Sequence, residues 1–407
     1  MVEYIKTVRR ESMFKMHLPT DVGFIIDRMH AHGYSAHVVG GSVRDSLIGR
    51  ELGDFDITTD ALPEETKAVF SDLRTVDTGI KHGTVTLVLN GTPYEITTYR
   101  IDGDYKDNRH PDAVTFTASL TEDLARRDFT VNAMAYAPDT GLVDPFGGSA
   151  DAEAHIIRAV GDPYRRFDED ALRILRALRF ASVLSFDIEE NTARAAEELA
   201  PRLTSISKER VYTELKKLVS GANAYNVIGR YKHVLAYALG GMLLDRLPKV
   251  EAFDRADMLT RLGALIYLNS ENHTDVAEKT LNSLKTDKHT RTYTVASFRA
   301  YEGARLDTER DALRLLADHG EEAALGAVKL GIALSRFTDK ESELLVSALS
   351  SGKPYAVAML DIRGNDLVPL GIRGEQIGAT LRGLLYAVID GEVENERDAL
   401  ISYLDSK

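Results

Sequence analysis

The chain has 407 residues, 44% of them hydrophobic, which suits two to four domain cores rather than one. It contains no cysteine, which excludes disulfides, thiolate catalysis and cysteine-ligated zinc, and its net charge of −13 argues against a general nucleic-acid coat while leaving local basic patches open. No apolar run of ~18 residues occurs, and the opening MVEYIKTVRRESMF is charged where a signal peptide is apolar, so a cytoplasmic chain with no membrane segment is expected.

Short β-branched runs bounded by Gly, Pro or Asn predict strands of one sheet at AHVVGG, FDITT, GTVTLVLN and PYEITTYR. The first runs into VVGGSVRD, residues 38 to 45. Its glycines, Gly41 among them, allow the backbone close to an anion, Ser42 can donate hydrogen bonds, and Arg44 stands where a helix begins. In GRELGDFDITTD, Asp54 and Asp56 occupy alternate positions at what reads as the start of a strand. On one face two carboxylates repel each other unless a cation lies between them, and Mg²⁺ binds through one or two carboxylates plus substrate phosphates. A lone DxD also reads as two solvated loop aspartates, and a lone Gly-Gly turn as plain strand-to-helix packing. Ten residues separate Arg44 from Asp54, which is short enough to bring anion grip and metal site together.

Glu95 lies inside PYEITTYR, either as an exposed edge charge or as a third acid on an adjacent strand, able to bind metal or deprotonate a hydroxyl. The Gly, Pro, Asp and Asn content of RIDGDYKDNRHPDAVTF, residues 100 to 116, predicts a mobile loop. EDLARRDFTVNAMAY then sets Arg126, Arg127 and an aspartate before an apolar, helix-compatible run, where cations and backbone donors meet an anion or a ribose; alone, the two arginines read as surface charges.

From about Asp168 the spacing turns helical, so a mixed head precedes a long helical body. Asp170 and Arg173 are then neighbours on one helix face, and Arg176 and Arg179 continue the row; the plain alternative is an intrahelical salt-bridge stripe. Small and turn-forming residues mark softer boundaries at SGANAY, 220 to 225, and SSGKPY, 350 to 355. The basic stretches SKER at 207 to 210, RYKH at 230 to 233 and KTDKHTRTY at 285 to 293 suit an RNA phosphate backbone, or else solvated helix faces. The histidines of HGTVTL, HTD and DKHT lack the spacing of a phosphohydrolase metal centre.

VVGGSVRDSLIGRELGDFDITTDALPEE, EDLARRDFTVNAMAY, LVDPFGGSADAEAHIIRAVGDPYRRFDEDALRILRALRFAS and ISKERVYTELKKLV follow one another over roughly residues 38 to 220. In this order they resemble the class II tRNA nucleotidyltransferases, the bacterial CCA-adding enzymes of the superfamily shared with poly(A) polymerases. The ending LGIRGEQIGATLRGLLYAVIDGEVENERDAL is similar to the tail of those from Gram-positive bacteria.

The resemblance implies an α+β fold: a nucleotidyltransferase head over 1 to 160 with a small mixed or antiparallel sheet, a helical neck over 161 to 220, a helical body over 221 to 350, and a tRNA-binding tail over 351 to 407. It implies that Asp54 and Asp56 bind Mg²⁺, that Gly41 and Arg44 hold the phosphates of CTP or ATP, and that Arg127 belongs to the nucleotide site. Glu169, Asp170 and Arg173 match the family's nucleotide-recognising triplet, and Arg176 and Arg179 match further nucleotide contacts. The implied reaction adds CCA to the 3′ acceptor end of tRNA with release of pyrophosphate, and Glu95 would polarise the attacking hydroxyl. A partial CC- or A-adding enzyme, a poly(A) polymerase or a catalytically idle RNA-binding relative remain as alternatives. The loop at 100 to 116 resembles that of full CCA-adding enzymes, and no run such as GRRFRL follows the DxD, which disfavours a poly(A) polymerase. Nothing in the sequence sets the oligomeric state.

Overall fold

The structure, a computed structural model, describes residues 14–102 and 114–406. Most of the loop expected at 100 to 116 therefore lies outside the described residues. The chain divides into two compact units, Met1–Ala238 and Leu239–Lys407. The expected head and neck both fall in the first, and the expected body straddles the division.

The first unit is built on a seven-stranded sheet of order β3-β4-β5-β2-β1-β8-β9. Its strands are β1 (Ala36–Val39), β2 (Asp56–Thr59), β3 (Arg74–Gly79), β4 (Thr84–Leu89), β5 (Thr92–Thr98), β8 (Ala135–Ala137) and β9 (Gly141–Val143). The sheet is mixed, as expected: β2 and β5 run parallel, and the other pairs are antiparallel. Helix α1 (Thr20–Ala31) buries Val22, Ile25, Ile26 and Met29, the three-and-four spacing of one helix face, in a core shared with Val38, Ile57, Leu87 and Ile96 of the sheet. β6 (Arg100–Asp102) and β7 (Val114–Phe116) pair antiparallel at the two ends of the expected loop.

The helices of this unit include α2 (Gly41–Leu47), α3 (Pro63–Val69), α4 (Leu120–Ala125), α5 (Gly148–Glu153), α6 (Pro163–Glu169), α7 (Leu172–Leu184), α8 (Glu190–Glu198) and α9 (Lys208–Ser220). One expectation is corrected here. The Asp170 to Arg179 row is not one continuous helix: Asp170 is extended, with φ −146° and ψ 103°, and separates α6 from α7. SGANAY, where small residues were expected to interrupt the helical pattern, ends α9 at Ser220 and lies inside the first unit. A Cβ at Gly221 would stand 2.1 Å from Ser182 Oγ and 2.6 Å from the Ser182 carbonyl carbon, so glycine is what lets the end of α9 close on α7. Ser182 Oγ donates to the Leu218 carbonyl at 2.6 Å across the same approach.

The second unit is helical, with long members at Lys288–Gly303, Glu321–Ala333 and Glu375–Asp390. Among the described residues no helix is long and apolar enough to cross a membrane.

Candidate active site

The β1 strand runs into Gly40, whose φ of +75° and ψ of −126° favour a residue without a Cβ. A Cβ there would stand 3.1 Å from Arg127 NH1, so the turn also makes room for a guanidinium. Gly41 opens α2, and one turn on, Arg44 is buried and held on three sides. Its Nε and NH2 each donate to Asp45 at 3.0 Å, its NH1 donates to Asn132 Oδ1, and its guanidinium lies 5.3 Å from the centroid of the Phe180 ring.

Asp56 is the first residue of β2, and Asp54 precedes the strand rather than lying on it, which corrects the alternate-position reading. The two carboxylates are nonetheless neighbours. Asp56 is open to solvent, yet enough protein surrounds it for desolvation to push its carboxyl above the usual range, Arg127 pulls it back, and the charge of Asp54 raises it further. On the parallel neighbour β5, the register partner of Asp56 is Glu95, so the third acid lies on the adjacent strand beside the DxD. Among the described residues no group of three or more His, Cys, Asp or Glu side chains is placed to hold a metal ion, which leaves the Asp54 and Asp56 pair. An open carboxylate set fits Mg²⁺, which keeps water and substrate phosphate among its ligands.

Arg127 reaches this point from the end of α4. Its NH2 lies 3.4 Å from Asp123 Oδ2, burial lowers the pKa of its guanidinium, and the nearby Asp123 offsets part of that cost. Asp123 is completely buried and gathers the region: it accepts from Arg126 Nε and NH2 at 3.0 and 2.8 Å, from the Arg100 N–H at 3.3 Å and from Thr58 Oγ1 at 3.4 Å. Arg126 and Arg127 are thus tied inward rather than lying as free surface charges.

Asp128, the next residue, accepts from the Phe129 N–H at 2.9 Å, from Asn132 Nδ2 at 3.2 Å and from Arg176 Nε at 2.7 Å. Burial alone would raise its carboxyl, but the Arg176 charge and hydrogen bond and the Asn132 bond outweigh this and hold it at about 2. Arg176 also lies 3.8 Å from Glu214 of α9, while Arg179 pairs with Glu214 at 3.2 Å and stacks 3.9 Å from the Phe180 centroid. Arg176 lies 5.5 Å from the same centroid, so three of the expected arginines, Arg44, Arg176 and Arg179, gather around one ring. Phe180, Asp123 and Glu214 were missed by sequence reasoning; the three-residue step from Arg176 to Arg179 predicts a shared face but not the ring and acids that face it.

Asp170 and Arg173 come close in the chain, and each has a partner of its own. Asp170 Oδ1 accepts from the Leu172 N–H at 3.0 Å, and its Oδ2 accepts from Arg210 NH2 at 2.7 Å. Arg173 NH1 donates to Glu169 Oε2 at 2.8 Å and to the Arg166 carbonyl at 3.2 Å, and its NH2 donates to the Arg126 carbonyl at 3.3 Å. The structure thus links the end of α4, the start of α7 and the start of α9.

The family described as poly A polymerase head domain matches residues 36–158, and that described as probable RNA and SrmB-binding site of polymerase A matches 185–233. A curated CCA-adding enzyme from Leuconostoc mesenteroides is 36% identical over 385 residues, covering 92% of this chain and 93% of that protein. The chain belongs to the CCA-adding enzyme family. A second member, from Geobacillus thermodenitrificans, is 52% identical over 197 residues, 48% of each chain. The crystal structure of the Bacillus stearothermophilus CCA-adding enzyme in complex with CTP superposes with a TM-score of 0.80 at 32% identity, over 96% of this chain and 98% of that one. The head-domain match spans Gly41, Arg44, Asp54, Asp56, Glu95 and Arg127, and the second match spans Arg210 and Glu214.

Proposed function

We propose that the chain builds and repairs the 3′-terminal CCA of tRNA from CTP and ATP, releasing pyrophosphate, in the cytoplasm where these substrates meet. The observation that carries this reading is the register of Asp56 against Glu95, with the charges of Asp54 and Arg127 beside it, next to the turn at Gly40 and Gly41. Asp54 and Asp56 would hold Mg²⁺, which when bound supplies positive charge to the reacting phosphates and acidifies the attacking hydroxyl. The remaining work falls to the chain. Gly41 and Arg44 bind the triphosphate, Arg127 adds a cation beside it, and Glu95 accepts the proton of the RNA 3′-hydroxyl at its carboxylate. The 3′-hydroxyl oxygen then bonds to the α-phosphorus, and the bond from that phosphorus to pyrophosphate breaks. Arg176 and Arg179, fixed by Asp128, Glu214 and Phe180, complete the nucleotide pocket.

Asp170 and Arg173 select the base. Cytosine and adenine both present an amino donor beside a ring-nitrogen acceptor, while uracil and guanine present the reverse. A carboxylate only accepts and a guanidinium only donates, so the pair is complementary to C and A alone.

The test supplies tRNA lacking its terminus, Mg²⁺ and each labelled nucleotide, and sizes the products. Three added residues followed by a stop are expected; two residues, a long A tail or no addition would each overturn the reading. Asp54→Ala or Asp56→Ala should abolish incorporation of both nucleotides with the fold intact, and retained activity in either would defeat the metal assignment.

A further inference from the structure

Arg210 lies in SKER, a stretch whose basic character suits an RNA backbone, yet its guanidinium is turned to Asp170, with NH2 2.7 Å from Oδ2. We propose that Arg210 is a positioning residue for base selection, one that sets the Asp170 carboxylate so that its remaining lone pairs meet the amino group of cytosine or adenine. The proposal rests on the reading of Asp170 as a base selector.

Three features support it. Asp170 stands in the extended break between α6 and α7, so no helix turn of its own fixes the side chain. Its orientation is set instead by two donors, the Leu172 N–H on Oδ1 and Arg210 on Oδ2. Each carboxylate oxygen accepts two hydrogen bonds, so one acceptor position at each oxygen is left for a base, in a plane that these two anchors define. The local backbone supplies the first anchor; the second comes from a residue 40 positions away on α9. Without the second, the carboxylate could turn about its last torsion, and an acceptor that turns discriminates less sharply than one held in place.

The second feature is the matching arrangement around Arg173, which Glu169 holds at 2.8 Å. Acceptor and donor of the selecting pair are thus each restrained by an opposite charge from outside the pair. The third is that Arg210 NH1 is enclosed and finds no acceptor among the described residues. That end of the guanidinium is therefore packed against protein and not presented to an RNA backbone at the surface.

The experiment uses the full-length enzyme and compares Arg210→Met, Arg210→Lys, Asp170→Ala and the Asp170→Ala/Arg210→Met double variant. It measures kcat/KM for CTP and UTP on tRNA that lacks all three terminal residues. Arg210→Met is expected to lower the CTP to UTP ratio by about tenfold, Arg210→Lys to lower it less, and the double variant to match Asp170→Ala alone, because the two residues act as one unit. If Asp170→Ala keeps the wild-type ratio, base selection by Asp170 is wrong. If Asp170→Ala loses the ratio but Arg210→Met keeps it, or if the two losses multiply, positioning by Arg210 is wrong. An Arg210→Met enzyme with an unchanged ratio and a raised KM for tRNA would return the residue to the RNA backbone. Should Arg210→Met fail to fold, Arg210→Lys decides alone, since a point charge without the planar fork must still reduce the ratio.

Discussion

Asp128 shows how a single carboxylate can be fixed so firmly that it organises others. It is buried with three donors around it, and its pKa is held at about 2 against an ordinary 3.8, so it folds in the charged form. A depressed carboxyl adds stability that is fully present above its unfolded value and is lost as pH falls from there toward 2. The whole contribution is about 2 kcal/mol, of which about 1 kcal/mol has gone by pH 3. The stability gap between wild type and Asp128→Asn, measured by urea unfolding, is therefore expected to be constant from pH 7 to 5 and to narrow below pH 4. A gap that stays constant down to pH 3 would mean the Arg176 pair contributes nothing through charge. At this scale the sequence was legible in tight local patterns: the turn glycines, Arg127 and Asp56, picked out from separate short stretches, come together in the fold. It was silent on Asp123 and Phe180, whose partners lie up to 65 and 136 positions away, because no short-range spacing announces a long-range contact.

The elements were legible to the extent that their own side chains decide them. β1 and β4 alternate or fill with β-branched residues, and α1 repeats apolar residues at three and four spacing, so period alone identifies them. β8 is Ala-Tyr-Ala and reads as helix or loop until β1 and β9 pair with it on both sides. The break at Asp170 was equally hidden: the residues around it favour helix, and the interruption is stabilised by an aspartate that accepts the N–H two residues on. Gly221 was seen as punctuation, whereas its place is against Ser182, where even one methyl group meets backbone at 2.6 Å. Gly221→Ala is expected to separate the end of α9 from α7 at a cost of about 1 to 3 kcal/mol, read as a lower unfolding midpoint. If the midpoint does not move, α9 does not depend on that close approach, and Arg210 and Glu214 must be placed by other contacts.

At the scale of the whole molecule, two opposing charge effects bear on tRNA. With 63 acidic and 50 basic residues the chain repels a polyanion at long range, so binding depends on local cations that neutralise individual phosphates. The division at residue 238 was not legible, since helical spacing continues on both sides of it. Basic patches therefore had to be judged one by one, and they differ. Arg210 is turned to Asp170, Arg230 lies 4.0 Å from Asp187, and Arg291 bonds the Thr286 carbonyl, while Lys288 of the second unit is exposed. Raising salt weakens the long-range repulsion, which helps binding, but it also removes the gain from releasing counterions, which hurts it. The second effect dominates once about three phosphates are neutralised, because each contributes close to one power of the salt concentration. The KM for tRNA is accordingly expected to rise by about tenfold or more between 50 and 200 mM KCl at fixed Mg²⁺, and the KM for CTP to change less. Replacing Lys288 with Gln should reduce the salt slope by about one if it neutralises a phosphate, with all tRNAs affected alike. An unchanged slope in that variant would show that RNA is held elsewhere on the chain, and a KM for tRNA that falls with salt would show that net charge, not the patches, governs the encounter.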